Sequence, residues 1–363
     1  MLEYLIQKKE EFRKLLFELD KYYETIQINP KAEPLLSIVM TASERSRQTY
    51  YTLASINASA MADKIHIVLV DDSIEDPILP ENLETFGLFI TFIKIRTTEK
   101  FWINPCVNYN IGFKFILGSR VIIQNAEVCH IGDVCSIVCS YTDDDYYVFD
   151  VLQTRDFDAN EKIYTSRTIE IGVNDLFKGW CEHHVLRSQH YHYLATTSAK
   201  SMAKIGGFSF DYAMGVCYDD DDFKLRIRAA NIKLISVPLT IGALGIHLYH
   251  DVHKLTAKGI NDGYYNNHIF FTKEIILNGT NLYFDITSDF DFMEIKVRLF
   301  IQNMIKIVEN KNSMLSDDQK FKVRSQILFN FVQQLLILSK RPLLDENANY
   351  EFYYNGEVKI QSV

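Results

Sequence analysis

Apolar residues recur three and four positions apart at Leu2, Leu5, Ile6, Phe12, Leu15, Leu16, Leu19, Tyr22 and Tyr23, and Pro30 and Pro34 close the segment. That spacing fills one helix face and predicts an amphipathic N-terminal helix over residues 1–29, packed on the main domain or on a partner. The pattern then changes. Residues 35–41 and 65–70 are short apolar runs with the length of buried strands, and residues 43–56 between them follow helical periodicity. Residues 88–95 and 121–123 continue the strands, and residues 108–117 form a helical pattern that Gly118 ends. Strand, polar turn and helix in repetition predict an α/β domain whose mostly parallel sheet carries crossover helices, a Rossmann-like arrangement.

Residues 143–145 and 154–174 are polar and irregular and read as a surface excursion. A short helix follows over 198–205, another over 219–230, and a strand over 232–237 before Pro238. Beyond residue 258 the periodicity is that of long helices, 292–308 and 317–339, the second with Leu328, Phe331, Val332, Leu335 and Leu336 on one face. The chain therefore divides into an N-terminal helix (1–34), an α/β domain (35–257) and a mainly helical extension (258–363), which buttresses the domain or makes a homodimer contact.

Length and composition narrow the function. A chain of 363 residues with 47% hydrophobic content buries a large core. A net charge of −9 argues against a nucleic-acid partner, which needs a basic face. No stretch reaches the ~20 apolar residues of a transmembrane helix, and the first twenty residues do not read as a signal peptide. The expectation is a soluble, cytoplasmic protein, in the host cytoplasm if the source is viral. The six cysteines show no CxxC pair and read as reduced thiols. Cys181, His183, His184, His190 and His192 match no common zinc spacing.

Candidate chemistry gathers in four places. Asp219, Asp220, Asp221 and Asp222 are consecutive, and like charges so close call for a cation, a raised pKa, or both. Asp71 and Asp72 follow one predicted strand and Glu127 another, at the carboxyl ends where open α/β sheets bind ligands. His247 and His250 follow the last predicted strand. Gly206-Gly207 precedes the acidic run and supplies backbone able to take positive φ and approach a ligand closely. Asp222 and Arg226 lie four apart and brace one helix face.

In that order these segments resemble the GT-A glycosyltransferases, and among them the inverting, family 2-like enzymes. The similarity spans roughly residues 35–253, most specifically Asn104-Pro105-Cys106, Asn108, Asn110, Gly112, Gln124-Asn125-Ala126-Glu127 and the block from Gly206 to Arg226. It implies a UDP-sugar donor, a Mn²⁺ (or Mg²⁺) ion, transfer of a hexose with inversion, and a glycan, protein or lipid-linked acceptor. Asn125, Ala126 and Glu127 match the family's DxD motif, so the resemblance gives the metal contact to Glu127, completed by His247 or His250, and gives Asn125 the ribose or a metal-bound water. Asp71 and Asp72 match the acidic pair that meets the donor's base and ribose; Thr41, Arg47, Asn104 and Asn110 match further donor positions. The resemblance gives the general base to Asp220, orients Asp219 to an acceptor hydroxyl and puts Asp221 on the sugar and acceptor side, the register within the run staying open. Trp180, Gly206 and Gly207 fall on the sugar and acceptor side. Two other readings stand beside this one. They are a sugar-phosphate nucleotidyltransferase, whose glycine-rich phosphate loop is missing from Thr41-Ala42-Ser43-Glu44-Arg45, and a catalytically degenerate carbohydrate-binding module, suggested by Asn125.

Overall fold

The computed structural model describes residues 16–100, 102–166, 175–213, 215, 217–251, 349–352 and 358–361. The first half of the expected N-terminal helix and the expected helices over 292–308 and 317–339 lie outside the described residues. The chain divides into two compact units, Met1–Asn267 and His268–Val363.

The strands of the first unit are β1 (Tyr23–Ile28), β2 (Leu36–Ala42), β3 (Ile65–Asp71), β4 (Phe89–Ile95), β5 (Arg120–Asn125), β6 (Val128–Ile131), β7 (Tyr146–Phe149), β8 (Val151–Thr154), β9 (Phe177–Glu182), β10 (Leu194–Ser198), β11 (Leu234–Val237) and β12 (Leu244–His247). Its α-helices are α1 (Ser46–Asn57), α2 (Pro80–Glu84), α3 (Cys106–Phe113), α4 (Val134–Ser140), α5 (Phe157–Ser166), α6 (Ala199–Ile205) and α7 (Asp219–Ala229). In the second unit β13 (Asn349–Phe352) pairs antiparallel with β14 (Val358–Gln361).

Eight strands form one sheet in the order β1-β4-β3-β2-β5-β10-β7-β11. Its centre, β4-β3-β2-β5, is parallel, and β1 and β10 run antiparallel to their neighbours. Every residue of β3 is buried, as a central strand covered on both faces requires. The side chains alternate strictly. Ile38, Met40, Ile67 and Leu69 join Leu53 and Ile56 of α1 on one face, whereas Val39, Val68 and Val70 join Cys106, Val107 and Ile111 of α3 on the other. Each such side chain stabilises the fold by about 1.5–3 kcal/mol.

A second sheet of four strands, β6-β12-β8-β9, was not anticipated. The chain passes from the large sheet to the small one at Ala126-Glu127, between β5 and β6, and again at Asp150, between β7 and β8. Strand runs this short, interrupted by a single polar residue, carry too little periodicity to announce a change of sheet.

Two expectations need correction. Residues 16–22 form a 3-10 helix, but Tyr23–Ile28 is a strand rather than the end of a long helix, pairing Tyr23 with Ile95 through Ile28 with Ile90. Its Tyr, Thr and Ile residues suit a pleated edge, and β4 offers an open row of backbone partners. The stretch 154–174 is not wholly irregular, because α5 lies within it. Asp156 accepts from the Ala159 amide at 2.8 Å, and Ala159 and Ile163, four apart, supply a narrow buried stripe. No helix among the described residues is long and apolar enough to cross a membrane.

Candidate active site

The carboxyl ends of β2 and β5 meet in parallel register, with Thr41 opposite both Val70 and Asn125. Just beyond, at the crossing into the small sheet, Glu127 is 1% exposed. Four groups converge on its Oε1: Arg45 Nη1 at 2.5 Å, His247 Nε2 at 3.3 Å, Asn125 Nδ2 at 3.4 Å and His250 Nε2 at 3.6 Å. His247 ends β12 opposite Val128, and the Leu248 amide donates to the Glu127 carbonyl at 2.8 Å. Asn160 of α5 fixes the same segment by bonding both the amide (2.9 Å) and the carbonyl (2.8 Å) of Tyr249. Burial alone would raise the Glu127 pKa; the Arg45 charge and the two imidazoles overcome it and hold the carboxyl well below its usual range. Burial and the Arg45 charge push the His250 imidazole down.

Glu127, His247 and His250 bring ligand atoms within 4.8 Å of one another. Glu127 Oε2 and His247 Nδ1 are buried with no hydrogen-bond partner among the described residues. Buried polar atoms left in this state mark a place for a missing partner, and one carboxylate with two imidazoles suits a divalent cation of the Mn²⁺ type. The residues thus fit the implied metal.

The acidic pair after β3 splits in function. Asp71 closes its own loop, accepting from the Ser73 hydroxyl at 2.6 Å and the Ile78 amide at 2.9 Å, and burial raises its pKa. Asp72 binds Lys100 and Asn108 through Oδ2 and leaves Oδ1 out of both contacts. Burial acts to raise its pKa, but Lys100 and the hydrogen bonds carry it below the ordinary value.

Three residues expected around the donor have other partners. Arg47 is exposed and pairs with Glu161; Arg45, two positions earlier, points inward, since residues two apart do not share a helix face. Asn104 donates to Asp219 at 3.0 Å and accepts from the Cys106 amide at 2.8 Å. Asn110 brackets Phe208, donating to its carbonyl at 2.8 Å and accepting from its amide at 2.9 Å. This clamp explains Gly207, which has φ 74 and whose Cβ would lie 2.4 Å from Asn110 Oδ1; Gly206, with φ 77, ends α6 and has nothing within 4 Å of its Cβ position.

The acidic run opens α7, and Cys217 and Tyr218 before it both adopt left-handed backbone, φ 66 and 67. Such conformations cost on the order of 1–3 kcal/mol each and cluster at working sites. The four carboxylates turn to different partners: Asp219 to Asn104, Asp220 to His192 Nδ1 at 2.6 Å, Asp221 to the Tyr191 hydroxyl at 2.9 Å and Lys224 at 3.3 Å, and Asp222 to Arg226 at 2.6 Å. The cationic company expected for the run is therefore supplied by the protein itself. Burial and the neighbouring Asp220 raise the Asp219 pKa. Burial works against charge on His192, but the Asp220 carboxylate prevails and raises the imidazole pKa. In the sequence His192 is weighed only against zinc spacings and is not paired with Asp220; its alternation with Tyr191 and Tyr193 just before β10 is the one local signal.

Tyr109 of α3 links the two halves. Its hydroxyl donates to the Gln124 carbonyl at 2.8 Å and lies 3.3 Å from Asn125 Oδ1, while its ring meets His192 edge-on. Trp180 lies half-buried on β9 against the core of the small sheet and meets the His183 ring edge-on, with centroids 4.4 Å apart. Asp150, His183 and His184 also approach one another, but Asp150 and His183 accept backbone amides and His184 Nδ1 lies 2.9 Å from Asp150 Oδ2. His184 and Leu239 amides bind Asp150, and Val185 and Leu186 amides bind His183 Nδ1. That group secures a turn. All six cysteines are unbridged.

No family model matches the chain, and no curated protein matches it. Solved structures with some likeness include Staphylococcus aureus TarS 1–349 in complex with UDP-GlcNAc, at 11% identity and a TM-score of 0.48, covering 90% of this chain and 96% of that one. The mannosyltransferase PcManGT from Pyrobaculum calidifontis, in complex with GDP-Man and Mn²⁺, shares 14% identity at a TM-score of 0.39, covering 73% and 68%. The catalytic domain of Drosophila β1,4-galactosyltransferase 7, with xylobiose, shares 10% identity at 0.37, covering 61% and 76%. Superpositions this loose do not identify an activity, and the functional reading stands on the chain's own side chains.

Proposed function

We propose that the chain is a GT-A glycosyltransferase that moves a hexose from a UDP-sugar to an acceptor hydroxyl with inversion. One observation carries the reading: Tyr109 joins a carboxylate–imidazole cluster suited to a cation and a diphosphate to a carboxylate–imidazole pair suited to proton removal. Donor chemistry and base chemistry thus border one residue.

On the donor side, Asp72 Oδ1 accepts from uracil N3–H or a ribose hydroxyl. Glu127, His247 and His250 would hold Mn²⁺ or Mg²⁺, which when bound offsets the charge on the departing diphosphate. Asn125 orients Glu127 through its amide. On the acceptor side, Asp220 takes the proton of the attacking hydroxyl as the new bond forms at the anomeric carbon and the bond to the diphosphate breaks. His192 positions that carboxylate. Asp219 beside it holds a proton more readily, since burial and the neighbouring Asp220 raise its pKa. A single displacement with one base inverts the anomeric centre. Tyr193 and the half-buried Trp180 offer aromatic faces near the acceptor, which is a glycan, a protein or a lipid-linked sugar.

The test is UDP release from a panel of UDP-hexoses with Mn²⁺. The wild type is expected to release UDP and Asp220→Asn to release it at least a hundredfold more slowly. Absence of release from every donor, with glycan binding retained, would instead favour a carbohydrate-binding module.

A further inference from the structure

We propose that Arg45 and a divalent cation are alternative partners of Glu127, so that Arg45 keeps the carboxylate neutralised until cation and nucleoside diphosphate arrive together, and then turns to the diphosphate. The inference rests on the donor-site reading above.

The crowding at one oxygen carries it. Arg45 Nη1, His247 Nε2 and His250 Nε2 all face Glu127 Oε1, at 2.5, 3.3 and 3.6 Å. An ion held by the two imidazoles and Glu127 Oε1 would meet the guanidinium at the same oxygen. With Glu127 1% and the Arg45 side chain 18% exposed, little water screens the two positive charges from each other. An ion seated on Oε1 therefore competes with the Arg45 contact.

The displaced side chain has somewhere to go. A guanidinium carries five N–H donors in a rigid fork matched to carboxylate and phosphate oxygens. Arg45 Nη1 binds Glu127, and Arg45 Nε is buried with no hydrogen-bond partner among the described residues. A buried donor left over beside a site for a diphosphate is a vacancy for one of its oxygens. Arg45 is also anchored where it pivots, since its carbonyl accepts from the Thr49 amide at 3.0 Å and the Thr49 hydroxyl at 2.8 Å, which fixes the backbone and leaves the side chain to move. The consequence is thermodynamic coupling. A diphosphate that receives Arg45 frees Glu127 for the cation, and by linkage the cation strengthens diphosphate binding to the same extent.

Mn²⁺ binding to the full chain, followed by the electron paramagnetic resonance signal of free Mn²⁺, tests this without any turnover. The wild type is expected to bind Mn²⁺ at least tenfold more tightly with saturating UDP than without it. Arg45→Gln is expected to bind Mn²⁺ alone at least tenfold more tightly than the wild type and to lose most of the UDP effect. Wild-type Mn²⁺ affinity independent of bound UDP would overturn the proposal, a result that needs no variant. So would unchanged or weaker Mn²⁺ binding in an Arg45→Gln protein that melts like the wild type. Tightened Mn²⁺ binding in Arg45→Gln with no UDP binding to either protein would leave the competition standing and remove the nucleotide-sugar reading.

Discussion

Tyr109 meets His192 edge to face, with ring centroids 4.9 Å apart and planes at 86°. The contact matters because each partner has a second attachment. Tyr109 reaches the end of β5 beside Glu127, and His192 reaches Asp220 at the start of α7. Phe208, held by Asn110, packs on both rings at 5.4 and 4.8 Å and is stacked 4.2 Å from Phe223 of α7. The two acidic clusters are thus fixed to one aromatic block, as the proposed transfer from one to the other requires.

Asp220→Asn is expected to lower kcat by at least a hundredfold, the ordinary contribution of a general base, while UDP affinity stays within a fewfold of wild type. Side-by-side transfer and titration measurements decide it. Lost UDP binding would move Asp220 to the donor site.

His192 is expected to act through Asp220. The Asp220 carboxylate is paired with the His192 imidazole and acts electrostatically on Asp219, Tyr109, Tyr146, Tyr191 and Tyr193. The charged imidazole favours the ionised acid, so removing it favours the protonated one. His192→Leu should lower kcat roughly 10- to 100-fold and move its rising limb to higher pH. His192→Asn, which keeps a donor near the same place, should restore much of the rate. Because the imidazole pKa is raised above 6.5, the pair's contribution to stability is fully present below that pH and is lost as pH climbs past the raised value. A pH profile identical in all three proteins would make His192 a packing residue only.

Glu182 gives the fold a pH dependence of its own. Buried at 2% exposure, it accepts from the amides of His190 (3.0 Å) and Tyr191 (3.4 Å) and holds the loop that delivers His192. Burial pushes its pKa from 4.5 to about 7, against the backbone hydrogen bonds. A carboxyl raised in the folded state costs nothing while both states are protonated, so its stability contribution is intact below 4.5 and declines as pH rises to about 7. At about 1.4 kcal/mol per unit, Glu182→Gln should escape a loss on the order of 2–3 kcal/mol between those limits. Urea unfolding across that pH range checks this; parallel stability curves for the two proteins would contradict it.

The glycine pair should separate on substitution. Gly207→Ala meets both a left-handed backbone and the Asn110 side chain, whereas Gly206→Ala meets only the backbone strain. Costs of about 1 kcal/mol for Gly206→Ala and about 2–3 for Gly207→Ala follow, read as melting temperatures a few degrees apart. Equal shifts would mean that Asn110 yields.

The sequence made β2, β3, β4 and β5 readable because central parallel strands are apolar on both faces and leave uninterrupted runs. The strand ends bearing Asp72 and Glu127 were readable for the same reason. The edge strand Tyr23–Ile28 was not, since its mixed polar residues could continue the preceding helical spacing. Helix α5 was hidden because only Ala159 and Ile163 are plainly apolar and buried on it. Arg45 and His192 were missed because their partners lie 82 and 28 positions away, and no local spacing encodes such pairs. Each nevertheless lay next to a recognised feature, Arg45 four residues past Thr41 and His192 within the aromatic run before β10.

Glu127 is proposed to anchor a cation-dependent nucleoside diphosphate site, and thermal unfolding with UDP and Mn²⁺ checks this. A ligand held only by the native state stabilises it by about 2.7 kcal/mol at a hundred times its Kd. The prediction is a melting temperature raised by several degrees with UDP and Mn²⁺ together, less with either alone, and no such synergy in Glu127→Ala. An unchanged wild-type melting temperature under all these conditions, or an equal rise in Glu127→Ala, would contradict it.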